Sequence, residues 1–124
     1  MLITGSWDGA EESAEIYHPD IDSACILPEL PEQRYYHTQD GFLVCGGKMA
    51  PRSCRIWNPD TGAWDLVTES LTEDRIHHNS WTPEGGSATY LIGGYGSGET
   101  SEAITKVSSK NHIIVSFPLQ NSTV

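Results

Sequence analysis

At 124 residues the chain has room for one modest core. Its 7 basic and 17 acidic side chains leave a net charge of -10 with no run of Lys or Arg, which argues against a nucleic-acid binder. No stretch reaches the roughly 18 to 20 apolar residues of a membrane span, and the first residues lack the basic and long apolar regions of a signal peptide.

In chain order, residues 1–5, 13–17 and 23–27 read as three strands. Four more are expected at 35–39, 42–45, 53–57 and 63–67, and a last set at 76–81, 89–92, 103–107 and 112–116. The Asn, Pro, Asp and Gly content of His18-Pro19-Asp20 and Asn58-Pro59-Asp60-Thr61-Gly62 suits tight turns between them. No segment carries the 3.6-residue apolar period of a helix.

The strands repeat. Leu2-Ile3-Thr4-Gly5-Ser6, Leu43-Val44-Cys45-Gly46-Gly47 and Leu91-Ile92-Gly93-Gly94-Tyr95 each run from an apolar, β-favouring stretch into glycine. Gly5 and Gly46, Tyr17 and Trp57, Leu30 and Leu71, Arg34 and Arg75, and His37 and His78 are all separated by 40 or 41 residues. Gly46 to Gly93 is 47, and the six extra residues fall in a loop between Arg75 and Gly93, where Pro83, Gly85 and Gly86 supply turn chemistry. A repeat of 40 to 50 residues without helical patterning is that of a propeller blade. The expected fold is therefore all-β, with consecutive four-stranded antiparallel blades: an incomplete first blade at 1–31, a second at 32–72 and a third at 73–124. Closed propellers need about four to eight blades, so this array does not close by itself. Self-association through its open blade edges follows as an expectation.

The second repeat resembles a kelch repeat. Gly46-Gly47 stands at the glycine pair, Trp57 at the tyrosine position and Trp64 at the tryptophan position, while Arg34 with His37 and Arg75 with His78 look like the Arg and His before a kelch inner strand. The first repeat has Gly5-Ser6 and no Trp after Tyr17; the third keeps Gly93-Gly94 and neither aromatic. The resemblance implies a β-propeller whose usual task is protein binding. It also leaves open a scaffold segment of a kelch-like enzyme of the galactose oxidase type, with the active site in other blades.

Catalytic and cofactor chemistry is not expected within this chain. His77 and His78 are adjacent on an expected strand and would point to opposite faces, while His37 and His78 share a repeat position that suits a structural task. No Gly-X-Ser-X-Gly elbow occurs, and Gly93-Gly94-Tyr95-Gly96-Ser97-Gly98 opens no helix and precedes no Lys. Neither a metal nor another cofactor is called for. Cys45 and Cys54 end and begin neighbouring strands and are candidates for a disulfide, with Cys25 left over; three reduced thiols are the alternative. The compartment stays open between cytoplasm and exterior, and the sequon Asn121-Ser122-Thr123 bears on the question only if the protein is secreted.

Strands of alternating direction send their loops to two faces. One is expected to carry Trp7, Asp8, Lys48, Met49, Arg52 and Tyr95, joined by Glu32, Gln33, Glu73 and Asp74. Aromatic, Met and Arg groups on loops over a rigid base are what protein-binding surfaces use. An unidentified protein is the expected partner.

Overall fold

Short runs of β-branched and aromatic residues that alternate between buried and solvent-facing positions fold here as strands, and tight turns between them dictate antiparallel pairing. The computed structural model describes residues 1–5, 12–96, 99–100, 103–108 and 113–118. Among these there is no α-helix, only a single 3-10 turn at Pro19–Ile21.

Three antiparallel sheets follow one another and do not close. The first pairs β1 (Leu2–Thr4), β2 (Ala14–His18) and β3 (Ser23–Ile26). The second orders β4 (Thr38–Asp40), β5 (Leu43–Cys45), β6 (Cys54–Asn58) and β7 (Ala63–Thr68) as they come in the chain. The third sheet does the same with β8 (Asn79–Trp81), β9 (Ala88–Ile92), β12 (Ala103–Ser108) and β13 (Ile113–Pro118). Between β9 and β12 a two-stranded ribbon, β10 (Tyr95–Gly96) with β11 (Glu99–Thr100), interrupts the pattern.

The registers locate the insertion. Asp40 pairs with Leu43 across a two-residue turn, whereas the matching pair Trp81 and Tyr90 encloses eight residues. The added six lengthen this hairpin loop and leave the sheet order unchanged.

Two clusters glue the sheets together. Leu2 and Ala14 of the first sheet meet Val44, Trp57 and Trp64 of the second, with Trp57 edge-on to Trp64 at 5.4 Å. The Trp64 indole also donates to the Pro28 carbonyl at 2.9 Å, so a buried polar atom is satisfied across the junction. On the second sheet's other face Leu43, Cys45, Cys54 and Val67 meet Leu91 and Val107 of the third. Cys45 and Cys54 lie opposite each other in register, with Cα atoms 4.2 Å apart, and are joined by a disulfide within this cluster. Cys25 is free and exposed on β3.

Two strands begin later than the sequence suggests. Those expected at 35–39 and 76–81 each start three residues on, at Thr38 and Asn79. Tyr36 (φ 59°) and His77 (φ 54°) have left-handed backbone, which a β-strand cannot contain. His77 and His78 are therefore not strand neighbours on opposite faces. His77 stays on the surface, and His78 is buried between sheets.

Candidate functional site

The repeat positions turn out to be joints between sheets. Arg34 is fully buried; its Nη1 donates to the carbonyls of Gly46 and Ser53, both at 2.8 Å, and its Nη2 to the Ser53 hydroxyl at 2.7 Å. Arg75 repeats this one sheet later, reaching the Gly93 and Ala103 carbonyls and the Thr105 hydroxyl, each at 2.8 Å. Each guanidinium thus holds both ends of the glycine loop in its own repeat. At the same time the backbone of each Arg–His strip crosses the preceding glycine: a Cβ on Gly5 would come within 2.5 Å of the Arg34 carbonyl and 2.6 Å of His37 Cε1. Only glycine leaves space for that crossing.

The histidines complete the joints. Gln39 reaches across to β1, its amide nitrogen donating to the Leu2 carbonyl, so its oxygen faces Thr4 and accepts the Thr4 hydroxyl at 3.0 Å. Thr4 Oγ1 must then accept from His37 Nε2 at 3.0 Å, and His37 Nδ1 has no partner among the described residues. His78 Nε2 meets the Thr38 hydroxyl at 2.7 Å, and its Nδ1 likewise lacks a partner among them. Burial, followed by the charge of Arg34 or Arg75, lowers both pKa values from 6.5 to about 4. Both rings are neutral structural wedges.

Above these joints lies an exposed row of rings. Tyr36 stacks on His77 with centroids 3.8 Å apart, and His77 stacks on Tyr95 at 5.4 Å. Tyr35 touches Tyr36 edge-on at 5.1 Å. The backbone fixes the row: the His77 amide donates to the Tyr36 carbonyl at 3.0 Å, and Ile76 and Tyr95 exchange two hydrogen bonds. Bulky residues in the left-handed region cost of order 1–3 kcal/mol each, and here that strain accompanies the turning of two rings outward in register.

Of the residues singled out from the sequence, Lys48, Met49 and Arg52 occupy the β5–β6 loop, which is stitched to both ring-bearing segments. The Lys48 amide donates to the Tyr35 carbonyl at 2.8 Å, and the Arg75 amide to the Pro51 carbonyl at 2.9 Å. Met49 is exposed, and Arg52 pairs with Asp74 at 2.6 Å while staying half in solvent. Tyr95 joins them through His77, whereas Trp7 and Asp8 lie outside the described residues. Glu32, expected among the same loops, is half-buried in ion pairs: Arg55 holds it at 2.7 Å and Arg34 at 3.1 Å. Burial raises the pKa of that carboxyl, but the two arginines outweigh it and bring it below the ordinary value.

Tyr36 and His77 escape sequence reasoning because their segments read as strands. Their signal is present all the same, an aromatic ring at the same offset in two successive Arg-X-X-His segments. A scan against protein-family models and a comparison with curated proteins found no match to this chain.

Proposed function

We propose that the chain is a segment of a kelch-type β-propeller, its three sheets being successive blades, and that it serves as a protein-interaction module without catalysis of its own. The observation that carries this reading is the exposed row Tyr36, His77 and Tyr95, held by strained backbone over joints of buried Arg and His. Met49, Lys48 and Arg52 flank it. Amphipathic rings pre-positioned on a rigid base lose little conformational entropy on binding, the property that makes Tyr and Arg frequent anchors at interfaces. The protein's net negative charge opposes a phosphate backbone as partner.

The test begins with a partner captured from native extract and then purified. Tyr36→Ala and Tyr95→Ala should each weaken its binding by a factor of about 30 if they are anchors, an effect of about 2 kcal/mol. Unchanged affinity in both variants would refute this assignment of the surface.

A further inference from the structure

The two junctions inside the chain are one junction made twice. If the front of a sheet is the face carrying Leu2 and Ile16 in the first and Leu43 and Ile56 in the second, each front packs on the back of the next sheet. Val44 and Trp57 form the back in the second sheet, and Leu91 and Val107, at the matching registers, form it in the third. Such a stack has direction. Among the described residues no further sheet packs on the back of the first sheet or on the front of the third.

Both faces expose apolar side chains around a single central charge. On the first sheet's back, Ile3, Glu15 and Ile26 align across the strands beside Tyr17, with Ile26 89% exposed. On the third sheet's front two rows cross four strands: Trp81, Tyr90, Lys106, Val115, and Asn79, Ile92, Ile104, Phe117. Phe117 remains 47% exposed and Trp81 57%. Beneath the lengthened β8–β9 loop this front is hollowed by a recess of about 410 Å³ between Pro83, Tyr90, Lys106 and Val115. Contiguous apolar surface of this kind marks a contact site.

We propose that a second copy of this chain covers both faces, the front of each third sheet seating on the back of the other copy's first sheet, so that two chains close a ring of six sheets. The occupant follows from continuity, because each free face is the missing half of the junction already made twice within the chain. Charge agrees with that choice, since Lys106 sits on the front and Glu15 on the back. Closure selects the number: propellers typically hold four to eight sheets, so copies of this 124-residue polypeptide, each with three sheets among its described residues, close as a pair. A head-to-tail pair that closes on itself uses every free face, leaving none for further growth. The proposal rests on the propeller reading, because flat stacking would never return to its start.

Light scattering and sedimentation of the 124-residue chain test it. The expected mass is about 27 kDa, twice 13.6 kDa, with no growth as concentration rises. Phe117→Asp on the front and Ile26→Asp on the back should each give monomers, and mixing the two should restore a 1:1 pair through the one junction left intact. For variants that change charge alone, Lys106→Glu or Glu15→Lys should weaken the dimer and the double variant should recover it. A monomeric wild type, a mass that grows without limit, or a dimer dissolved by Phe117→Asp and untouched by Ile26→Asp would overturn the proposal. Small-angle scattering of the monomer separates the two readings: a curved wedge with no dimer ends this proposal alone, while a flat stack ends the propeller reading as well.

Discussion

Protonation of His37 would place a second positive charge beside Arg34 in a buried joint, and protonation of His78 would do the same beside Arg75. The folded state therefore binds fewer protons than the unfolded chain between pH 6.5 and about 4. The stabilisation is fully present above pH 6.5 and declines as pH falls towards 4, by about 1.4 kcal/mol per unit for each histidine. Urea midpoints measured across this window should fall steadily, and the variant carrying both His37→Gln and His78→Gln should show a flatter profile. Equal slopes in the two proteins would contradict the assignment. At the glycines, steric demand can be separated from backbone strain. Gly62 (φ 68°) has open space where a methyl group would project, so Gly62→Ala should cost only the roughly 1–2 kcal/mol of left-handed backbone. Gly46 has nearly the same φ, but a methyl there meets the Arg75 carbonyl and lies 2.8 Å from His78 Cε1. Denaturant titration should rank Gly46→Ala as clearly the more damaging.

Each sheet joint should behave as a local element, since a repeat array is held by neighbour contacts. Hydrogen exchange on His37→Ala should show faster amides around Thr4, Gly5 and Thr38, with β12 and β13 unchanged; His78→Ala should loosen the second and third sheets and spare β1. Uniform acceleration in all three sheets would point to one undivided cooperative core. The disulfide belongs to the second sheet and closes a loop of sequence separation 9, worth roughly 2.5 kcal/mol on the chain-entropy model. Reduction should lower the urea midpoint accordingly, and an unchanged midpoint would remove the bridge from the stability of the fold. The strands are legible in the sequence because the repeat writes them three times, so that Leu43, Val44 and Cys45 align with Leu2, Ile3 and Thr4. The ribbon β10–β11 is not, because Tyr95 is held by Ile76 from a distant segment and its own neighbours are glycine-rich. For the same reason the left-handed turns at Tyr36 and His77 stay hidden: tyrosine does not favour that backbone, histidine adopts it in only a minority of cases, and the contact that offsets the strain lies one repeat away.

At the scale of the molecule the two sets of loops are unequal. One carries the ring row and the loop with Lys48, Met49 and Arg52; the other presents the lengthened β8–β9 loop and short turns such as the one around Asp60, whose amide is capped by the Asn58 side chain at 3.0 Å. The buried Arg and His joints lie directly under the first set, so rigidity is concentrated where the rings emerge. Binding energy should be concentrated there too. Titration calorimetry of a purified partner against alanine variants of both loop sets measures this most directly. Losses of about 2 kcal/mol or more are expected at Tyr36, Tyr95 or Arg52, with changes within about 0.5 kcal/mol at Asp60 and Glu84. Losses confined to Asp60, Glu84 and their neighbours would contradict the assignment of the binding face.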